Sequence, residues 1–144
     1  MKVVVQKVKK ANVKVNGKIL NEIDQGYMLL VGFTDGDNLD ILPKMAKKIA
    51  NLRIFEDENG VMNKSILDVK GSILSISQFT LYANTKDGNR PSYLNAMKRE
   101  LALPLYNRFN ELLNEYVPTK NGSYGNTMLI SLENDGPTTI IIEM

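Results

Sequence analysis

The dipeptide Asn16-Gly17, with the alternating residues around it, restricts the fold more than any other feature. In residues 12–19 apolar and polar side chains alternate, which is the period-2 pattern of a half-buried β-strand. Asn-Gly is the strongest short signal for a two-residue hairpin, because a type I′ turn needs positive φ at both central positions. Residues 3–8 also have strand composition, so we expect the chain to begin as an antiparallel sheet.

Strands are also predicted farther along the chain, where β-branched and apolar runs are bounded by turn residues. Residues 27–33 form an apolar strand ended by the loop TDGDN, and residues 53–55 form a short strand before the turn EDENG. Residues 72–82 give the longest strand. Two more are predicted at residues 128–132 and 138–143, separated by the turn ENDGP.

Two helices are predicted from apolar residues at helical spacing. The first contains Leu42, Met45, Ala46 and Ile49. Asp40 is its expected N-cap, and Pro43 lies in its first turn, where a missing N–H does no harm. The second spans about 15 residues and begins near Pro104. Its apolar face is formed by Leu105, Phe109, Leu112 and Tyr116.

Length and composition indicate one mixed α/β domain over residues 1–144. A chain of 144 residues that is 43% hydrophobic and 24% charged has the size and balance of an ordinary globular domain. No linker, repeat or low-complexity tract divides it. No apolar run approaches about 18 residues, which predicts no membrane span. The lack of cysteine fits a reducing, cytoplasmic location.

The chain contains no histidine and no cysteine. This excludes Ser-His-Asp and Cys-His catalysis and the usual zinc sites. An enzyme with this sequence is left with carboxylate pairs, a carboxylate-held magnesium ion, a lysine-activated hydroxyl, or catalysis by the backbone and the substrate itself.

Basic residues are unevenly distributed, although the net charge is only +2. An N-terminal lysine group, with no acid among residues 1–21, consists of Lys2, Lys7, Lys9, Lys10, Lys14 and Lys18. A second basic cluster consists of Lys86, Arg90, Lys98 and Arg99. Such groups bind phosphates or simply form a solvated polar face, which charge alone favours.

Polar side chains interrupt the strand predicted at residues 72–82. Alternation places Leu74, Ile76, Gln78 and Thr80 on one face, and Ser75, Ser77, Phe79 and Leu81 on the other. Gln78 and Thr80 would therefore be neighbours at a strand end, a favoured place for binding groups. Local hydrogen bonds from side chain to backbone would satisfy the same residues without a ligand.

Two motifs carry a resemblance to a known family, namely SQFTL at residues 77–81 and NDGPTT at residues 134–139. With the blocks VVVQKV, VGFT, NLRIFEDENGVMN, PLYNRF and the segment that follows SQFTL, the whole chain resembles the D-aminoacyl-tRNA deacylases, also known as D-tyrosyl-tRNA deacylases. By itself, Asn-Asp-Gly-Pro is only a turn by composition.

The resemblance implies a fold, an activity and an assembly. The fold would be a three-layer sandwich in which helices cover a barrel-like mixed sheet, assembled as a homodimer. The activity would be a proofreading hydrolysis of the ester that joins a D-amino acid, or glycine, to the 3′-terminal adenosine of tRNA. Neither a metal nor a cofactor would be needed, and each active site would lie at the subunit interface.

Site residues transfer by position from the same resemblance. Ser77, Gln78, Phe79 and Thr80 would be the catalytic segment of one subunit. The substrate-binding residues would be Leu81, Tyr124, Met128, Gly136 and Pro137. Tyr124 stands where the family commonly has Phe and would pack on the terminal adenine, with Met128 near it. Gly136 and Pro137, joined by a cis peptide bond, would reach in from the other subunit and reject L-amino acids.

Thr80 admits two roles. It could be a nucleophile, but its hydroxyl has a high pKa and the chain has no histidine to activate it. We favour a positioning role, with the substrate's ribose 2′-OH assisting the attacking water and the backbone N–H groups of Phe79 and Thr80 holding the oxyanion.

Two departures from the family pattern bear on the rejection of L-amino acids. Lys7 stands where the family usually has Arg, whose planar fork Lys cannot imitate, and Thr138 stands where it usually has Val. The alternatives are a deacylase with relaxed chiral selectivity, a module that binds tRNA 3′ ends without turnover, and a purely structural dimer.

Overall fold

The predicted hairpin is present at the start of the chain. In the computed structural model, which describes residues 1–144, strands β1 (Lys2–Val15) and β2 (Lys18–Ile23) pair in antiparallel fashion. Asn16 and Gly17 between them have φ values of 51° and 76°. Strand β1 is longer than expected, because it joins the predicted strand at residues 3–8 to the first arm of the hairpin.

The remaining elements follow the predicted order with several differences in extent. They are β3 (Gly26–Gly32), α1 (Ile41–Ala50), β4 (Phe55–Glu56), β5 (Met62–Lys64), β6 (Ser72–Ser77), the 3₁₀ turn Phe79–Tyr82, α2 (Arg99–Asn114), β7 (Thr119–Asn121) and β8 (Leu129–Glu143). Strands β5 and β7 were not predicted. The two strands predicted at residues 128–132 and 138–143 form the single strand β8. The segment ENDGP between them stays in this strand, where the pairing with β1 shifts its register.

Both helix starts differ in part from the prediction. Asp40 occupies the N-cap position of α1 but makes no capping hydrogen bond, while Pro43 lies in the first turn as expected. Helix α2 begins at Arg99, so Pro104 is inside the helix rather than in its first turn. Pro104 is solvent-exposed, and the carbonyl of Glu100 that loses its partner can therefore be hydrated. Tyr116 lies beyond the helix end.

The sheet is mixed and curls toward closure. Strand β1 pairs with β2, β3 and β8, and β3 continues in parallel to β6 and then β7. Two hydrogen bonds join β2 to β7 and nearly close the ring, from Asn21 Nδ2 to the Asn121 carbonyl at 2.7 Å and from Lys120 Nζ to the Glu22 carbonyl at 2.9 Å.

Apolar packing occurs on both faces of this sheet. A main core of 23 buried residues includes side chains of α1, α2 and one sheet face, and a second cluster of seven includes Val8, Val13 and Leu74. The result is one α/β domain with a barrel-like sheet and two helices, as predicted. Neither helix has the length and apolar character that a membrane crossing requires.

Candidate active site

The SQFTL segment leaves the sheet at Ser77, five residues before the predicted end of the strand at residue 82. Strand β6 ends at Ser77, and the chain turns into the 3₁₀ turn Phe79–Tyr82. The prediction that Gln78 and Thr80 share a strand face is therefore wrong. The two side chains are nevertheless neighbours, because the Gln78 Nε2 donates a hydrogen bond to the Thr80 hydroxyl. A local hydrogen bond therefore does satisfy these polar groups in part, but its acceptor is a side chain rather than the backbone.

A cavity of about 660 Å³ opens beside this turn. Ser77, Gln78 and Phe79 line one side, and Tyr124 and Met128 line the other. Its size lies within the range of about 300–1,000 Å³ found for small-molecule pockets. Five residues of the predicted site, from two distant parts of the sequence, are therefore brought together.

The other predicted residues lie outside this cavity. The Thr80 side chain is half-buried, and Leu81 packs against Gly32, where an added Cβ would lie 3.2 Å from the Leu81 Cβ. Gly136 and Pro137 are exposed on β8. Within one chain, the Gly-Pro pair does not reach the cavity lining.

The 3₁₀ turn presents backbone donors next to the cavity. Because a 3₁₀ turn bonds each N–H to the carbonyl three residues earlier, the N–H groups of Phe79 and Thr80 have no acceptor within the turn. The first internal bond runs from the Leu81 N–H to the Gln78 carbonyl at 3.2 Å. Two adjacent amides are thus available at the position where the oxyanion donors were expected.

Tyr124 is held against the helix side of the cavity. Its ring lies 5.4 Å from that of Tyr106, whose hydroxyl donates to the Ser75 carbonyl at 2.8 Å. Burial raises the pKa of Tyr124, and the nearby guanidinium of Arg99 opposes that shift. The phenol is therefore neutral at physiological pH and offers a flat apolar face with a polar edge.

The NDGPTT segment is braced within its own chain. The Asn134 Oδ1 accepts a hydrogen bond from the Thr138 N–H at 3.1 Å. The Gly136–Pro137 peptide bond is cis, as the resemblance implies, and Gly136 has a φ of 116°. Thr138 is buried, and its hydroxyl oxygen has no hydrogen-bond partner.

The two basic groups have different surroundings. Four members of the N-terminal lysine group pair with acids of β8 because β1 and β8 are antiparallel neighbours: Lys2 with Glu143, Lys7 and Lys9 with Asp135, and Lys10 with Glu133. In the second basic cluster no side chain forms an ion pair. Four of the five lysines on β1 are therefore paired, whereas Arg99 of the second basic cluster is unpaired and lines the cavity.

Comparison with known proteins identifies the family of the chain. A family model described as D-Tyr-tRNA(Tyr) deacylase matches residues 4–143. The chain belongs to the D-Tyr-tRNA(Tyr) deacylase family. Members of this family are hydrolases that cleave the ester bond of D-aminoacyl-tRNA, so the resemblance found in the sequence is confirmed.

Solved structures of similar proteins support the same fold. The structure titled "c-Myc DNA Unwinding Element Binding Protein" is 42% identical, with a TM-score of 0.94 over 100% of this chain and 99% of that chain. A second, titled as a probable eukaryotic D-amino acid tRNA deacylase, is 18% identical with a TM-score of 0.85, over 99% of this chain and 98% of that one. At that identity the second comparison supports the fold alone.

Several residues that line the cavity were not predicted as site residues. They include Tyr93, Met97, Arg99, Gly125 and Asn126. In the sequence, Arg99 belongs only to the second basic cluster. No local pattern marks them, because the start of α2 and the loop before β8 meet only in the folded chain.

Proposed function

We propose that the cavity binds the 3′-terminal adenosine of a D-aminoacyl-tRNA together with its aminoacyl ester. The observation that carries this proposal is the meeting of the Gln78–Phe79 backbone with Tyr124 across one cavity. An adenine stacked on the Tyr124 ring would place the ribose and its ester toward the 3₁₀ turn. Met128 would complete the apolar wall beside the base.

Hydrolysis in this arrangement needs no protein nucleophile. Water attacks the ester carbonyl carbon, the bond to the ribose oxygen breaks, and that oxygen takes a proton, which releases the free amino acid and the tRNA. The N–H groups of Phe79 and Thr80 would hold the developing oxyanion. One such donor is typically worth about 2.7–4 kcal/mol of transition-state stabilisation. The ribose 2′-OH would assist the water.

Thr80 fits a positioning role better than a nucleophilic one. Its hydroxyl oxygen accepts a hydrogen bond from Gln78, and no lysine or carboxylate is bonded to it. A hydroxyl without an adjacent base is a weak nucleophile near neutral pH. We therefore assign Thr80 and Gln78 to holding the shape of the turn and orienting the attacking water.

Selection against L-amino acids would come from a second copy of the chain. Gly136 and Pro137 are exposed on β8 and lie away from their own cavity, so they are free to enter that of a partner. Exposed apolar side chains on the same strand, Leu129 and Ile141 at 65% each, support a homodimer contact. A rigid backbone segment would clash with an L side chain and would make no contact that depends on which D side chain is present.

The same filter would admit glycine, which has no side chain to exclude. We therefore include glycyl-tRNA, mischarged on a non-cognate tRNA, among the substrates. A thousandfold preference for D over L substrates needs about 4 kcal/mol. Faster hydrolysis of D-tyrosyl-tRNA than of L-tyrosyl-tRNA tests the proposal, and equal rates would instead support a deacylase with relaxed selectivity.

A further inference from the structure

The guanidinium of Arg99 has a defined position at the cavity. Arg99 is the first residue of α2 and lines the cavity together with Tyr124 and Gly125. A Cβ added to Gly125 would lie 2.7 Å from the Arg99 Cζ and 2.9 Å from each terminal nitrogen. The guanidinium therefore lies directly on the glycine backbone, in space that any side chain at position 125 would occupy.

The charge of Arg99 is not neutralised by the protein. The other arginines differ from it, since Arg108 pairs with Glu111 at 2.8 Å, Arg53 bonds Asn63, and Arg90 does not line the cavity. Glu100, the next residue in the chain, forms no ion pair with Arg99. Arg99 is thus the one unpaired cation that lines the cavity.

The chemistry of the proposed substrate restricts what this cation can bind. A guanidinium recognises carboxylates and phosphates through paired hydrogen bonds. An aminoacyl ester has no free carboxylate, and its α-ammonium would be repelled by Arg99. The remaining anion near a terminal adenosine is the phosphate on its 5′ side. Tyr124, the proposed platform for the adenine, is close enough to Arg99 for the guanidinium to affect its pKa.

We propose that Arg99 binds the phosphate on the 5′ side of the terminal adenosine, and so fixes the direction in which the tRNA end enters the cavity. This inference rests on the proposed function, because it assumes that the cavity holds the aminoacyl adenosine. The phosphate lies at the Arg99 end and the ester at the Gln78–Phe79 end. An acceptor stem that entered in the reverse direction would bring the α-ammonium to Arg99.

Binding of a matched pair of ligands tests this assignment. The probes are 3′-deoxy-3′-(D-tyrosylamino)adenosine, whose amide resists hydrolysis, and its 5′-monophosphate. Isothermal titration calorimetry should give a dissociation constant about tenfold lower for the phosphorylated probe, as expected for one charge-assisted contact. In Arg99→Gln the two probes should bind equally, at the affinity that the wild type has for the unphosphorylated one.

Lys98→Gln is the control variant. It removes one positive charge from the residue next to Arg99, and Lys98 does not line the cavity. This variant should keep the preference for the phosphorylated probe. With D-tyrosyl-tRNA, Arg99→Gln should raise KM about tenfold with little change in kcat, the pattern of lost uniform binding.

The outcomes separate this inference from the proposed function. If the wild type binds both probes equally, or if Arg99→Gln keeps the preference, the phosphate assignment is overturned while the adenosine site stands. If Lys98→Gln loses the preference as fully as Arg99→Gln, general charge rather than a phosphate contact explains it, and the assignment is again overturned. If neither probe binds the wild type, both proposals fail.

Discussion

The buried ammonium of Lys7 lies 3.8 Å from a carboxylate oxygen of Asp135, the residue that precedes Gly136. Lys7 is only 3% exposed and lies 5.8 Å from the centre of the Phe55 ring. Lys9 reaches the same carboxylate oxygen at 3.5 Å from the solvent side. The Gly136–Pro137 segment is thus anchored, one residue upstream, to the middle of β1. Lys7, which we expected to hold this segment less well than an Arg, provides the anchor.

The first prediction concerns this anchor. Lys7→Met keeps the apolar stem over Phe55 but frees Asp135 on its buried side, so the Gly136–Pro137 segment should become more mobile. We expect the D-to-L ratio of kcat/KM on tyrosyl-tRNA to fall about tenfold, which corresponds to roughly 1.4 kcal/mol. Lys9→Met, which removes the exposed partner, should change the ratio much less. Equal losses in both variants would contradict a specific role for Lys7.

The second prediction compares two neighbouring substitutions in the same segment. An added Cβ at Gly136 would lie 2.6 Å from the Thr138 hydroxyl oxygen, at a φ of 116° that L-residues rarely adopt. Gly136→Ala should therefore destabilise the segment by about 1–3 kcal/mol and reduce activity sharply. Thr138→Val removes a buried hydroxyl that has no partner, and it should be neutral or stabilising by about 1 kcal/mol. Thermal unfolding and deacylation of D-tyrosyl-tRNA measure both; equal effects on activity would count against the filter.

The third prediction addresses the role of Thr80. If its hydroxyl positions the turn and the water, Thr80→Ala should keep measurable deacylation, reduced about tenfold through the lost hydrogen bond with Gln78. Thr80→Ser, which keeps the hydroxyl, should approach the wild-type rate. Single-turnover kinetics on D-tyrosyl-tRNA distinguish the two roles. Activity at background in Thr80→Ala, with full activity in Thr80→Ser, would support the nucleophile instead.

The fourth prediction concerns stability at high pH. Burial raises the pKa of Tyr27 well above its ordinary value of 10.0, because its ring is fully buried. Its hydroxyl also donates a hydrogen bond to the Leu52 carbonyl at 3.3 Å. Because the unfolded state ionises first, stability is complete below pH 10 and declines above it, by up to about 1.4 kcal/mol per pH unit from this group. Urea unfolding from pH 8 to 11 should show a smaller decline in Tyr27→Phe. The same decline in both proteins would exclude Tyr27 as a cause.

Periodicity predicted the fold wherever burial follows a regular repeat. The hairpin at Asn16-Gly17 and the amphipathic helix α1 have such repeats, and the structure confirms them. Strand β3 is also confirmed, but it was predicted from a continuous apolar run rather than from a repeat. The end of β6 was misjudged because Phe79, Leu81 and Tyr82 keep the composition of a strand. The apolar residues nevertheless change from even to odd positions after Ile76, and this break in the alternation lies where β6 ends and the 3₁₀ turn follows. Strand β7 has only three residues and forms as a parallel neighbour of β6, so no alternation reveals it.

The candidate site could be predicted from the residues alone only where its members are close together in the sequence. Ser77, Gln78 and Thr80 stand out as polar residues in an apolar run. The resemblance was needed to add Phe79 and to connect this segment with Tyr124. The contact of Arg99 with Gly125 depends on how α2 approaches the loop before β8. The pairing of the N-terminal lysine group with acids of β8 likewise follows from sheet register, which charge density in the sequence does not reveal.

The loss of labelled amino acid from D-tyrosyl-tRNA and L-tyrosyl-tRNA, incubated separately with the enzyme and EDTA, tests the central claim most directly. We predict rapid loss from the D form and little from the L form. EDTA should not prevent this loss because the backbone N–H donors need no metal, and the Gly-Pro segment should exclude the L side chain. Rapid loss from both forms would contradict the chiral filter. Loss from neither, with tRNA still bound, would contradict hydrolysis at this cavity and leave a tRNA-binding module.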